Sequence, residues 1–147
     1  MKILAIASAG GHWIQLLRLT PAFEGHKISF MSTKDGFEKM VPGHDFYLVP
    51  DANRNDKIKL MQNFMKVAGI IFKMRPDVII TTGAAPGLMG LIIGQFIGAK
   101  TIWVDSIANV ETLSLSGKIA SRFAKRNYTQ WPNLANRKNI YQGNIFS

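Results

Sequence analysis

The sequence predicts an α/β fold in which a parallel sheet carries helices on both faces. Two observations point to it. Short β-rich runs alternate with helical patterns along the chain, and the runs Val78-Ile79-Ile80 and Thr101-Ile102-Trp103-Val104 lack the polar alternation of a half-exposed strand. A strand reads that way when helices cover both of its faces. With 147 residues, 47% of them hydrophobic, the chain is expected to form a single domain over 1–147 with one continuous core.

The elements follow in order. Lys2–Ser8 reads as the first strand, because Ile3-Leu4-Ala5-Ile6-Ala7 is too short for a signal segment. A helix with Trp13, Leu16, Leu17 and Ala22 on its apolar side comes next, then strands at Lys27–Thr33 and Asp45–Val49. Residues 50–56 (PDANRND) have the Pro, Asn and Asp content of a loop. From Lys57 to Met74 apolar residues recur at spacings of three and four, which predicts a helix with a wide apolar face and with Lys59, Lys66 and Lys73 on another side. Two readings of it stand together: a core helix with a solvated basic stripe, and a helix that also touches a membrane surface. Arg75-Pro76 ends it before a strand at Asp77–Thr82. A helix starting near Leu88 and a strand at Lys100–Asp105 follow, with weaker strands at Tyr128–Trp131 and Ile140–Tyr141. The arrangement is Rossmann-like. The apolar run from Gly87 to Gly98 is well short of the roughly 20 residues that span a bilayer, and Gln95 interrupts it.

The absence of cysteine excludes disulfides, thiolate metal sites and a cysteine nucleophile. The formal net charge is +9, and no acid follows Glu111 while Lys118, Arg122, Lys125, Arg126, Arg137 and Lys138 do. Such an excess favours an anionic partner: nucleic acid, anionic lipid or a phosphorylated substrate. Nucleic acid is the least supported, since no recognition module accompanies the charge.

Ligands of an open parallel sheet collect beyond the carboxyl ends of its strands, and three segments there carry candidate chemistry. Ser8-Ala9-Gly10-Gly11-His12 joins the first strand to a helix, and its small residues leave helix N–H groups free to face an anion. It is neither the dinucleotide fingerprint nor a Walker A loop. His12 at its end is a candidate general base, because imidazole titrates near neutrality. Thr82-Gly83-Ala84-Ala85-Pro86-Gly87 offers a second anion-accepting helix start, or small residues that let a helix pack close to the sheet. Asp105, Ser106 and Glu111 suit recognition of sugar hydroxyls; Ser114 or Ser116 would cap the following helix. Either acid is an alternative base to His12. The acids are too few and too isolated for a protein-built metal cage, and no cofactor is expected.

Taken in order, SAGGHW, TTGAAPG, the pair DS with LSLSGK, and QWP resemble the Alg14-like family of glycosyltransferase subunits that serve oligosaccharide, capsule and exopolysaccharide biosynthesis. The resemblance covers nearly the whole chain. It implies the N-terminal, acceptor-side half of a GT-B fold of the MurG-like type, with the nucleotide-sugar site on a separate Alg13-like chain. It further implies a saccharide acceptor linked through pyrophosphate to a polyisoprenol lipid, and a cytoplasmic protein peripheral to the inner face of the cell membrane. On this resemblance Gly10, Gly11 and His12 face the acceptor and the reaction centre, and Thr82 to Gly87 line the same cleft. The sequence departs from eukaryotic members in lacking their N-terminal membrane anchor, and it carries Asp105 where many relatives have glutamate. The alternative is a nonenzymatic scaffold that draws a catalytic partner to the membrane.

Overall fold

The computed structural model describes residues 1–51, 53 and 55–146, so that Ala52 and Arg54 of the expected loop 50–56 lie outside the described residues, as does Ser147. Seven strands form one parallel sheet in the order β3-β2-β1-β4-β5-β6-β7: β1 is Lys2–Ile6, β2 Lys27–Ser32, β3 Asp45–Leu48, β4 Val78–Thr81, β5 Lys100–Val104, β6 Arg126–Thr129 and β7 Asn139–Tyr141. The strand order reverses between β1 and β4, and that reversal is where a crevice opens in such folds.

Four helices cover the faces: α1 is Gly11–Leu19, α2 Lys57–Met74, α3 Ala84–Phe96 and α4 Leu115–Phe123. Side chains alternate across the strands, so two cores form. Leu4, Ile6, Met31, Ile79 and Trp103 pack beneath Val67 and Ile71 of α2, Leu91 of α3 and Ala120 of α4. On the other face Ile3, Ala5, Phe30 and Ile80 pack with Trp13 and Leu16 of α1. Trp13 is fully buried there, stacked on Phe37 at 4.8 Å between ring centroids, with Phe30 and Phe46 edge-on.

Helix α2 has the expected bounds. Asp56 caps it by accepting a hydrogen bond from the Lys59 N–H at 3.0 Å, and Arg75, in the left-handed region at φ 49°, ends it before Pro76. Its apolar residues divide: Leu60, Phe64, Val67, Ile71 and Met74 face the core. Ile58, Met61, Met65 and Phe72 form an outer row, 73%, 61%, 63% and 50% exposed.

Helix α3 starts at Ala84, ahead of the expected start near Leu88. The small residues read as the approach to that helix are its first turn. Further along, a Cβ at Gly94 would lie 2.6 Å from Ile79 Cδ1, and one at Gly90 would collide with Ile6, so glycine sets the close approach of this helix to the sheet. Gln95 donates to the Phe123 carbonyl and ties α3 to the end of α4. The strand expected at Tyr128–Trp131 is found at Arg126–Thr129. Gln130 leaves the ladder to bond inward, and Trp131 precedes a 3-10 turn that begins at Pro132.

Candidate functional site

An open cleft of about 380 Å³ lies at the carboxyl ends of the strands, at the β1/β4 reversal. Ser8, Ala9 and His12 form one wall and Ala84, Ala85 and Pro86 another; Ser114, Leu115 and Ser116 and the carboxylate-bearing Asp51 complete it. Three helices begin here, α1, α3 and α4. Neither α1 nor α3 has a side-chain cap or an acid in its first turn, so their leading N–H groups are without a side-chain partner at the cleft.

His12 is held from below by Thr82. Its Nδ1 lies 2.9 Å from the Thr82 carbonyl, and the Thr82 hydroxyl donates to the His12 carbonyl at 2.6 Å. A carbonyl oxygen only accepts, so Nδ1 carries the proton in this contact and the neutral ring keeps its lone pair on Nε2. Nε2 has no hydrogen-bond partner among the described residues, and His12 lines the cleft. A base oriented through its other nitrogen is the arrangement proton abstraction needs. Gly83 supports it from the side. At φ 141° it adopts a conformation that favours glycine, and a Cβ there would sit 2.6 Å from His12 Cε1.

The other predicted residues fall into four groups. Gly10 and Gly11 are exposed at the turn into α1, beside the lining. Thr82, Gly83 and Gly87 are buried behind the cleft; a Cβ on Gly87 would collide with Thr81, so this glycine serves packing. Glu111 is exposed and outside the lining.

Asp105 and Ser106 are buried. Asp105, 1% exposed, accepts from four donors: Trp103 Nε1 at 3.0 Å, the Ser114 hydroxyl at 2.7 Å, Asn109 Nδ2 at 3.2 Å and the Ser114 N–H at 3.1 Å. With those bonds in place it acts on the cleft through Ser114, which caps α4 by accepting from the Gly117 N–H at 2.8 Å. Ser106 accepts from Gln15 Nε2 at 3.1 Å. The Gln15 carbonyl oxygen in turn accepts from Gln130 Nε2 at 2.8 Å and from the Ile107 N–H at 3.1 Å. Trp131 Nε1 donates to the Ile107 carbonyl at 2.7 Å. The loop 105–114 is therefore a fixed strut that places α4 against the cleft.

Sequence reasoning left Asp51 out of the site and read Ser114 and Ser116 only as possible caps. Asp51 follows β3, two strands from β1 in the sheet, and no local pattern links it to the cleft.

A cleft at the reversal of a parallel sheet, walled by helix starts, is the ligand-binding arrangement of a Rossmann-like domain. MurG of Acinetobacter baumannii superposes with a TM-score of 0.77 at 15% identity, over 96% of this chain and 45% of that one. The chain thus spans about half the length of that solved structure, and at this identity the likeness establishes the fold alone. Its architecture is the N-terminal half of the GT-B type.

A family model described as "Oligosaccharide biosynthesis protein Alg14 like" matches residues 49–145, and the chain belongs to this family. Residues 1–48, with His12, precede the matched stretch. The "UDP-N-acetylglucosamine transferase subunit ALG14" of Mus musculus is 23% identical, over 99% of this chain and 83% of its own length. A Bacillus cereus protein named as a UDP-N-acetylglucosamine–N-acetylmuramyl-(pentapeptide) pyrophosphoryl-undecaprenol N-acetylglucosamine transferase is 28% identical, over 92% of this chain and 42% of its own length.

Proposed function

We propose that this chain is the acceptor-side subunit of a two-component glycosyltransferase. It binds a lipid-pyrophosphate-linked saccharide in the β1/β4 cleft and recruits an Alg13-like chain that holds the nucleotide sugar. The observation that carries this reading is the set of His12 contacts, which leave Nε2 free in a cleft walled by two uncapped helix starts.

The chemistry is a direct displacement. A saccharide hydroxyl beside His12 attacks the anomeric carbon of the nucleotide sugar from the face opposite the leaving group, and the new C–O bond forms as the bond to the diphosphate breaks. The electron pair leaves with the diphosphate, the hydroxyl proton passes to Nε2, and the anomeric centre inverts. The α1 and α3 starts supply N–H groups for anionic oxygens of the acceptor. Asp51 is the one acid in the lining and suits a saccharide hydroxyl.

No helix among the described residues is long and apolar enough to cross a membrane. Peripheral attachment at the cytoplasmic face fits the exposed α2 row Ile58, Met61, Met65 and Phe72, which Lys59, Lys66 and Lys73 flank.

Reconstitution tests the reading: transfer from labelled UDP-N-acetylglucosamine to a polyisoprenyl-pyrophosphate saccharide is measured with this chain, its candidate partner and the mixture. Activity confined to the mixture, and lost when His12 is replaced, is the expected result. If the mixture works as well without His12, the chain is a recruiting scaffold; if the partner alone works as well as the mixture, the two-component reading is wrong.

A further inference from the structure

At the other end of the sheet a second cavity, of about 410 Å³, lies between the strand starts and the last turns of α2. Strand parity builds it. Tyr47 packs against the α2-side core, and Lys2, Lys27, Ser29 and Asp45 project to the same face, because each is two or four residues from Leu4, Met31 or Tyr47. Lys73 closes it from α2.

We propose that this cavity is a binding site for a phosphate ester. Three lysines, Lys2, Lys27 and Lys73, line it with a single acid, Asp45, and Lys27 is the one paired with that acid, at 4.0 Å. The ammonium groups of Lys2 and Lys73 have no ion-pair partner among the described residues.

A hydroxyl points the same way. Ser29 is 1% exposed and lines the cavity, yet its Oγ has no hydrogen-bond partner. Leaving a buried hydroxyl unpaired is costly, and a ligand oxygen would satisfy it. The Tyr47 hydroxyl also lacks a partner among the described residues. Ammonium and hydroxyl donors around one space match a group whose oxygens chiefly accept, which is the character of a phosphate.

Gly69 keeps the wall open. Glycine is unfavourable inside a helix, and a Cβ here would meet nothing within 4 Å, so packing does not require it. With Ile70 and Met74 also in the lining, the space takes an organic ester more readily than a bare ion. That chemistry has two sources, a phospholipid headgroup and a soluble phosphate compound. The site is at the opposite end of the strands from the cleft and does not depend on what binds there.

Isotope-labelled full-length chain is titrated with inorganic phosphate and, separately, with dihexanoyl phosphatidylglycerol below its micelle concentration, following the backbone amide signals. Saturable shifts are expected at Lys2, Lys27, Ser29, Tyr47 and Lys73. Lys73→Glu should weaken binding about tenfold or more, and Ser29→Ala about threefold, as loss of a charge-assisted and of a neutral hydrogen bond would. Lys39→Glu makes the same charge change beyond the other end of β2, outside the cavity, and should cost less than about twofold. Tighter binding of the lipid assigns the site to a headgroup, equal binding to the phosphate group itself, and both uphold the proposal. It is overturned if neither ligand gives saturable shifts at these residues, or if Lys39→Glu and Lys73→Glu weaken binding equally. The amide spectrum of each variant reports whether it is folded, and Lys73→Gln replaces Lys73→Glu if the latter is not.

Discussion

His12→Asn separates the chemical role of this residue from its structural one. The Asn amide can still donate to the Thr82 carbonyl, as Nδ1 does now at 2.9 Å, but nothing replaces Nε2. His12→Ala would instead leave the carbonyl of the fully buried Thr82 without that donor, at about 1–3 kcal/mol. Domains of this size are stable by only about 5–15 kcal/mol, so the alanine variant confounds lost chemistry with lost structure. For His12→Asn the expected result is a denaturation midpoint close to wild type and a rate in the reconstituted pair lowered by about 10²–10⁴-fold, the usual contribution of a general base. The acceptor KM should change little, because the helix starts and Asp51 remain. Single-turnover kinetics over a range of acceptor concentrations reads both quantities. A folded His12→Asn with near-wild-type turnover would refute the assignment and direct attention to Asp51.

Three further outcomes follow from the geometry. Asp105→Asn turns an amide NH₂ toward Asn109 Nδ2 and the Ser114 N–H, two donors now served by a carboxylate oxygen, and should cost about 2–4 kcal/mol in urea denaturation; a loss below about 0.5 kcal/mol would contradict this account of the strut. Ala84 sits at φ 69° at the start of α3, a left-handed conformation that costs a non-glycine residue roughly 1–2 kcal/mol, so Ala84→Gly should raise the melting temperature by roughly 3–5 °C, and an unchanged or lower value would show no stored strain. If Asp51 accepts a hydrogen bond from the saccharide, Asp51→Asn should raise the acceptor KM roughly tenfold at constant kcat, the effect of losing about 1.5 kcal/mol of charge-assisted bonding; a fall in kcat alone would make Asp51 part of the chemistry.

What the sequence made legible is what local patterns encode. The α2 bounds followed from apolar spacing and Arg75-Pro76, and the five strong strands from unbroken β-rich runs. Once the strands were placed, His12 and the Ala84–Pro86 turn followed, because both come straight after a strand in a fold whose ligands gather there. The misplacements are equally physical. Ala84–Gly87 has loop-like composition, but its smallness lets a helix begin directly on top of Thr81. Asp105 had the character of a sugar ligand, yet the donors that occupy it become partners only when the loop 105–114 folds back over β5. Gln15 and Gln130 are 115 residues apart, and neither carries a sign of the other.

Charge shows the same limit most sharply. Counted along the chain, the basic excess lies in the acid-free segment after Glu111, and that segment drew the expectation of an anionic partner. The phosphate-suited cavity instead takes Lys2, Lys27 and Lys73 from the first half of the chain. Lys2 and Lys27 are adjacent because β1 and β2 pair in parallel with those residues in register, and Lys73 joins them because the crossover from β3 to β4 brings the end of α2 down to the strand starts. Register and crossover direction are properties of the assembled sheet. A run of charge therefore locates a basic segment, whereas a concave cluster with an unpaired buried hydroxyl locates a site, and here the two fall in different halves of the sequence.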